Sequence, residues 1–398
     1  MLVSRRPRGR LRWLWAAAAT LAVAGTLVAA GATPAAAHTV GGIDASNYRT
    51  RILSVTPPHP DLRIAVIDNG ARLELTNTGR HDVSVEGYEG EPYLRVGPRG
   101  AFENVRSPAT FLNRVRRDPA PPPARADASA PPEWRRVSRT PTVRWHDHRA
   151  HWMGADDPPI VQRDPGREHL VQRFRLDLRV GDDVVKVRGD VRWIPGPSPW
   201  PWLALAAVLA VATVLGARTT AAGRVVGGVL GLSLVSSVVH AVGSWTYATN
   251  SLADRTGDAL PTVAAVALGG WAMMRLARRG LHAAAPLLVF SGLFVGIAIG
   301  LADLSALSHS QLPTDLPAAL DRLTITLALG GGFGVAAAAA LHVASRPPAP
   351  AQVPGPESAP ASDAEHPEAP VGATDPTHAT DPTDATDATD ATDRPDLR

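Results

Sequence analysis

Cysteine is missing from the whole 398-residue chain. Its absence excludes disulfide bonds, thiolate metal sites and cysteine nucleophiles. Lysine is nearly missing too, because Lys186 is the only one and arginine supplies almost all of the positive charge. The arginines alternate with acidic and apolar residues and do not cluster with aromatic residues, which argues against nucleic-acid binding. Any metal capture must therefore use histidine, carboxylate, methionine or backbone groups.

Sequence motifs of several common enzyme classes are also missing. No Walker-type lysine follows a glycine cluster, no Gly-x-Ser-x-Gly elbow occurs, and no His-Glu-x-x-His pair is present. Glu86, Glu89 and Glu91 surround a glycine turn, a pattern typical of solvated loop charge. We therefore predict that the protein is not an enzyme and has no catalytic residues.

The first 37 residues have the three parts of a secretory signal peptide. Five arginines among the first 12 residues precede an apolar stretch at 14–30, and Ala35, Ala36 and Ala37 form a small-residue cleavage site. Cleavage there would leave His38 first, where an α-amine and an imidazole on one residue form a bidentate nitrogen ligand suited to Cu(II). The alternative is that cleavage must leave some residue first and that histidine is there by chance.

Residues 38–198 are predicted to form an extracytoplasmic β-rich domain. Alternating polar and apolar residues indicate strands at 51–55, 62–67, 72–76, 81–86, 92–96, 170–180 and 184–194. Asp68-Asn69-Gly70 predicts a hairpin between the second and third of these, because Asn and Gly tolerate positive φ. Many short strands separated by turns favour a β-sandwich of immunoglobulin-like type. A Pro- and Ala-rich segment at 118–132 predicts a mobile loop within this domain.

Hydrophobic residues dominate after residue 199. Five apolar stretches, each close to the ~20 residues that a bilayer crossing needs, predict an all-α bundle of five transmembrane helices within 199–345, near 200–217, 225–245, 259–276, 283–301 and 323–344. Arginines concentrate in alternate connections and after the last span, so the positive-inside rule places the head outside the cytoplasm and the C-terminal tail inside it. The tail, 346–398, ends in Ala-Thr-Asp repeats and is predicted to be disordered. The sequence thus predicts a multi-pass plasma-membrane protein.

Three histidines within six residues make 143–153 the most chemically distinctive stretch of the head. On a strand, His146 and His148 would project from one face, roughly 6.6 Å apart along the chain, and could share one metal ion. His151 breaks this parity and could join them only if the chain turns. Met153 is a candidate soft ligand, and Asp147 could orient an imidazole if the backbone bends. The alternative is a loop whose rings pack and form hydrogen bonds.

A cleavage site, an N-terminal histidine, a β-rich head and a histidine cluster together resemble secreted bacterial copper proteins of the copper-resistance β-sandwich type. The resemblance implies a copper site in which the amine and imidazole of His38 are completed by His146 or His148. Methionine-rich segments are missing, which argues against Cu(I) storage. Residues 87–94 and the Trp-His-Asp-His run also resemble uncharacterised membrane proteins of high-GC bacteria, a likeness that implies no function.

Few ionisable residues lie in the predicted spans. His240, Asp303 and His309 all lie toward the outer side of the predicted bundle, where they could receive a metal ion from the head or relay protons. Alternatively, Asp303 and His309 are interfacial residues without such a role. Glycines at four-residue spacing, such as Gly292 and Gly296, predict close helix packing.

Two functions remain open from the sequence. The first is a membrane-anchored, copper-binding accessory protein in metal acquisition, delivery or tolerance, with zinc as the competing ion and other envelope metal-handling proteins as partners. The second is a cell-envelope binding or assembly module without a metal site, since sandwich folds serve many roles. A transporter is a weaker option, because five spans give no even inverted repeat.

Overall fold

The structure is a computed structural model that describes residues 44–115, 121–247, 249 and 252–345. The predicted signal peptide at 1–37, His38 and the predicted disordered tail at 346–398 lie outside the described residues. Those predictions therefore stay predictions.

Within the described residues, the head is built from ten strands in two antiparallel sheets. The strands are β1 (Tyr48–Thr56), β2 (Leu62–Ile67), β3 (Arg72–Asn77), β4 (Val83–Glu86), β5 (Pro92–Gly97), β6 (Gly100–Asn104), β7 (Trp134–Ser138), β8 (Thr142–Trp145), β9 (His169–Val180) and β10 (Asp183–Trp193). The larger sheet has the order β1-β10-β9-β4-β5-β6-β7, and the smaller has the order β2-β3-β8. This strand order does not confirm the immunoglobulin-like type predicted from the sequence.

Alternating side chains explain how the two sheets share one core. On β9, Phe174, Leu176 and Leu178 are buried, and their neighbours along the strand face outward. They belong to the same apolar cluster as Leu73 and Leu75 of the smaller sheet. Each fully buried leucine contributes about 1.5–3 kcal/mol relative to an exposed one, so this cluster holds the sheets together.

The hairpin predicted at Asp68-Asn69-Gly70 is confirmed. β2 and β3 pair from Leu62 with Asn77 to Ile67 with Arg72. The turn has positive φ at Asp68 (52°), Asn69 (56°) and Gly70 (88°), which is the backbone region that Asn and Gly tolerate best.

In the described part of the head, two short helices lie between strands. These are α1 (Pro108–Leu112) and α2 (Pro159–Arg163). The described part of the predicted mobile loop, 121–132, contacts the α1 region: the Arg125 guanidinium lies 5.2 Å from the centroid of the Phe111 ring, and Asp127 N donates to Arg106 O at 2.8 Å. This part of the loop is therefore held against the head.

Long apolar helices follow the head. They are α3 (Trp200–Gly216), α4 (Ala222–Tyr247), α5 (Leu252–Val295), which continues into a π-helical turn (Gly296–Leu301), and α6 (Ala318–Ala344). Three helical stretches in the described residues are long and apolar enough to cross a membrane: Ala222–Tyr247, Arg255–Leu301 and Ala318–Ala344. α3, with 17 residues, is shorter. These helices indicate a membrane protein, while the count of five spans stays a prediction.

The long stretch Arg255–Leu301 contains two of the predicted spans. Its backbone is not helical at Gly280, where φ is 73° and ψ is 173°. This is the region of φ that glycine adopts without strain. Gly280 therefore divides α5 between the apolar stretches predicted near 259–276 and 283–301.

Specific hydrogen bonds join the head to the bundle. Asn69 N donates to Tyr247 Oη at 2.5 Å, and Thr249 Oγ1 donates to Asp68 Oδ1 at 2.6 Å. Arg144 Nη1 donates to Thr249 O at 2.7 Å. The β2–β3 turn and the strand before the histidine cluster therefore both lie against the end of α4.

A second set of contacts involves the connection between the π-helical turn and α6. Ser46 and Gln311 exchange backbone hydrogen bonds of 2.9 and 2.8 Å. Ser310 N donates to Asn47 Oδ1 at 2.9 Å, and Ser310 Oγ donates to Ile194 O at 2.8 Å. This connection therefore holds the head against the bundle through hydrogen bonds.

Candidate functional site

The histidine cluster lies just beyond the end of β8. The strand stops at Trp145, and a 3-10 turn follows at His148–Ala150, so the prediction that His146 and His148 share a strand face is wrong. The turn nevertheless brings the three rings together. The centroid of the His146 ring lies 5.1 Å from that of His148 and 5.1 Å from that of His151. His151 joins the cluster because the chain turns, the condition on which its inclusion depended.

Two backbone carbonyls fix the protonation pattern of two of these rings. His146 Nδ1 lies 2.7 Å from Ala71 O, and His148 Nε2 lies 2.8 Å from Val115 O. Since a carbonyl oxygen can only accept, each of these nitrogens carries the proton. In the neutral rings, the lone pair therefore lies on Nε2 of His146 and on Nδ1 of His148. Metal-binding histidines show this arrangement, with one ring nitrogen bonded to a carbonyl and the other available as a ligand atom.

Asp147 supports the turn and does not bond the imidazoles. Asp147 is 2 % exposed, and its carboxylate accepts hydrogen bonds from Trp145 Nε1 at 2.9 Å, from Arg149 N at 3.0 Å and from Arg149 Nε at 2.9 Å. The role predicted for Asp147, as an acceptor for an imidazole, is therefore taken by Ala71 O for His146. Asp147 instead fixes the backbone that carries the rings.

Arg149 extends this support to the larger sheet. Its guanidinium donates to Glu86 O at 3.1 Å and lies 5.0 Å from the centroid of the Tyr88 ring. Burial acts to lower the pKa of Arg149, but the hydrogen bond and charge of Asp147 outweigh burial and hold that pKa above its ordinary value. The Arg149 guanidinium therefore stays charged at any physiological pH.

Tyr88 is a neighbour of the cluster that sequence reasoning missed. Burial raises the pKa of the Tyr88 phenol above its ordinary value, so the hydroxyl keeps its proton. It donates to Asn113 Oδ1 and accepts from His148 N at 3.2 Å. The sequence shows the Gly-Tyr-Glu-Gly turn, but it does not show that Tyr88 contacts His148, which lies 60 positions away.

The cluster does not form a complete metal site in the described residues. In the part of the chain that the structure describes, no group of three or more histidine, aspartate or glutamate side chains is arranged to hold a metal ion by itself. Met153, the candidate soft ligand, is partly buried two positions after His151. His38 lies outside the described residues.

The first described residues nevertheless lie close to this part of the head. Asn69 Nδ2 donates to Asp44 O at 3.0 Å. Asn69 is two positions from Ala71, whose carbonyl bonds His146. Asp44 is six residues after His38 in the sequence, so the chain that leads back to His38 starts from the cluster's side of the head.

A second polar cluster lies within the bundle. His240 on α4 is enclosed by two carboxylates, with Nδ1 2.8 Å from Asp321 Oδ1 and Nε2 3.3 Å from Asp303 Oδ2. The structure thus brings His240 and Asp303, two of the three predicted relay residues, into contact. His309 lies apart from them, with Nδ1 2.7 Å from Ser305 O. Asp321, in the first turn of α6, was missed as a partner, although its position near the start of an apolar span was a usable signal.

Comparison with known proteins gives no further guide to these sites. No protein-family model, no curated protein and no solved structure matches the chain.

Proposed function

We propose that the protein is a membrane-anchored, extracytoplasmic copper-binding accessory protein for metal acquisition, delivery or tolerance. The observation that carries this proposal is the packing of His148 and His151 against His146, whose Nδ1 is bonded to Ala71 O. In that tautomer the lone pair of His146 lies on Nε2, and a neutral imidazole binds a metal ion through such an atom.

The spacing of the rings suits a shared ion. Two imidazoles whose nitrogens lie about 2.0–2.1 Å from one metal ion at a roughly tetrahedral angle have ring centroids about 5 Å apart. The observed separations from His146 are both 5.1 Å. The spacing and the bonded Nδ1 together support a shared ion at His146.

His38 completes the proposed site. Its amine and imidazole would supply two nitrogens, and His146 Nε2 would supply the third. Six residues of extended chain span about 20 Å, and His38 lies six residues before Asp44, which is bonded to the β2–β3 turn. The terminus created by signal cleavage at residue 37 is therefore within reach of the rings. A site that needs this terminus agrees with the incomplete ligand set among the described residues.

Cu(II) is the proposed ion, with Zn(II) as the competitor. All of the proposed ligands are nitrogen atoms, and a chelating amine and imidazole favour Cu(II) in the usual order of divalent affinities.

We further propose an immunoglobulin-like head outside the cytoplasm, five spans and a cytoplasmic tail. The arginine distribution in the loops supports this orientation, and the break at Gly280, which divides one long apolar stretch into two, supports the count of five spans.

Substitution of His146 tests this function. We expect His146→Ala to weaken Cu(II) binding by the full-length protein in detergent by at least about 100-fold. The reason is that loss of a direct ligand should exceed the ~10–100-fold effect of losing a partner outside the coordination sphere. Competition against a chelator of known affinity measures the change.

His81→Ala is the matched control, because His81 is an exposed histidine of the same head. It should bind Cu(II) as the unmodified protein does. Hydrogen exchange over β8 shows whether His146→Ala has kept its fold. Equal Cu(II) affinity in a folded His146→Ala protein and in the control would contradict the proposal.

A further inference from the structure

The His240 cluster joins three separate elements of the bundle. The imidazole comes from α4, Asp303 from the residues that follow the π-helical turn, and Asp321 from the first turn of α6. The side chain of Asp321 is 2 % exposed, that of His240 14 % and that of Asp303 31 %. Ionisable groups at such positions in a membrane protein are costly, and they commonly mark ion or substrate sites.

The two carboxylates do not contact the imidazole in the same way. Nδ1 lies 2.8 Å from Asp321 Oδ1, an ordinary hydrogen-bond distance, and so Nδ1 is the nitrogen that donates. Nε2 lies 3.3 Å from Asp303 Oδ2, longer than the 2.7–3.2 Å of usual N–H···O bonds. Two ligand atoms about 2.0–2.1 Å from one tetrahedral metal ion are separated by about 3.3 Å. The distance between His240 Nε2 and Asp303 Oδ2 therefore equals the separation expected of two atoms that bind the same metal ion.

The guanidinium of the neighbouring arginine bonds backbone carbonyls, so the carboxylates of this cluster attract another cation. Arg322 follows Asp321 on α6, but its guanidinium donates to Ala306 O at 3.1 Å and to His309 O at 2.8 Å. Two carboxylates in a largely apolar bundle therefore face one imidazole. A divalent ion between Nε2 and Asp303 Oδ2 would take the place of any proton on Nε2, which leaves to solvent, and would balance both carboxylates at short range.

The cluster is accessible from the side of the head. Asp303 is its most exposed member. It begins the connection that contains Ser310, which bonds Asn47 and Ile194 of the head region. An ion released near the head could therefore meet Asp303 first.

From this geometry we propose a second site, for a divalent transition metal, at the head end of the bundle. His240 Nε2 and Asp303 Oδ2 are its protein ligands, water completes the coordination, and Asp321 orients the imidazole through Nδ1. A carboxylate behind a metal-bound histidine is a recurrent arrangement. One imidazole and one carboxylate suit Zn(II) or Cu(II) better than Cu(I). This site stands on its own contacts and does not depend on the head site.

Zinc stoichiometry in the full-length protein in detergent tests this second site. The background protein carries His146→Ala, His148→Ala and His151→Ala, which removes every ring of the head cluster, and metal content is measured after equilibrium dialysis against Zn(II). We expect one zinc equivalent in this background and none after a further Asp303→Asn or His240→Ala change. Asp321→Asn should retain the ligands but weaken binding about 10–100-fold.

His309→Ala is the control, because His309 is a nearby histidine bonded to Ser305 O and outside the cluster. It should keep the zinc equivalent, and an unchanged thermal unfolding temperature for Asp303→Asn would show that loss of zinc is not loss of fold. No zinc in the background protein, or the same zinc content after Asp303→Asn, would overturn this site. Neither outcome bears on Cu(II) binding by His146, so the two proposals fail separately.

Discussion

Asp147→Ala is expected to destabilise the head by about 3–5 kcal/mol, the usual cost of removing one partner from a buried ion pair. The change leaves the Arg149 guanidinium, whose side chain is only 20 % exposed, without its carboxylate. It also removes the acceptor for Trp145 Nε1 and for the backbone N–H of Arg149. Urea unfolding of the full-length protein in detergent, followed by hydrogen exchange over β8 and residues 146–152, measures the loss.

Two further variants separate the charge effect from a general effect of substitution. Asp182→Ala changes an exposed aspartate in the β9–β10 turn and should leave stability within about 0.5 kcal/mol. Asp147→Ala combined with Arg149→Met removes both charges and should recover part of the loss, because the unpaired buried cation is gone. A double variant no more stable than Asp147→Ala alone would contradict this explanation.

Gly332→Leu is expected to separate the helices of the bundle. An ideal Cβ at residue 332 would lie 2.6 Å from Gly296 N and 2.7 Å from Gly292 O. Both neighbours are backbone atoms, which cannot rotate away, so α6 must move from α5 and the π-helical turn. Small residues at such crossings supply the close packing that holds membrane helices together. We expect a loss of about 3 kcal/mol, the upper end of the usual cost of overpacking, seen as a lower thermal unfolding temperature in detergent.

Gly270→Leu is the matched control for the glycine crossing. Gly270 also lies on an apolar helix, but a Cβ there meets nothing within 4 Å. The same side chain at residue 270 should therefore leave the unfolding temperature nearly unchanged. Equal unfolding temperatures for the two leucine variants would show that the crossing at Gly332 does not hold the bundle together.

The strands that the sequence predicted are those in which one face is apolar. β2, β3, β9 and β10 alternate regularly, and their bounds agree with the prediction to within a few residues. β6 and β7 were missed for a physical reason. β6 begins at a glycine with φ of 111°, and β7 is largely exposed, so neither shows a clear period of two.

The head site was predicted in composition but not in conformation. His146, His148 and His151 were singled out, yet the strand ends at Trp145 because Asp147 captures the backbone N–H of Arg149 and caps a 3-10 turn. The partners Ala71 and Val115 were not predictable, because they lie 75 and 33 positions away. Hydrophobic periodicity gives elements and faces, whereas such pairings depend on how the elements pack.

The bundle site shows the same limit. His240 and Asp303 were selected as costly ionisable residues in apolar stretches, and the structure brings them together. His309 met the same criterion but bonds its own preceding turn. Asp321 lies near the start of an apolar stretch, and only the packing of α6 against α4 places it beside His240.

The central claim is that a free N-terminal histidine completes a copper site on the head, and selective acetylation of its amine tests this most directly. Lys186 is the only lysine, so a Lys186→Arg variant has no side-chain amine. Acetylation of the mature Lys186→Arg protein, confirmed by sequencing to begin at His38, therefore modifies the N-terminal amine alone. The proposal predicts that Cu(II) affinity falls at least about 100-fold on acetylation, since a direct ligand is lost. Unchanged affinity, or a mature protein that begins at another residue, would contradict it.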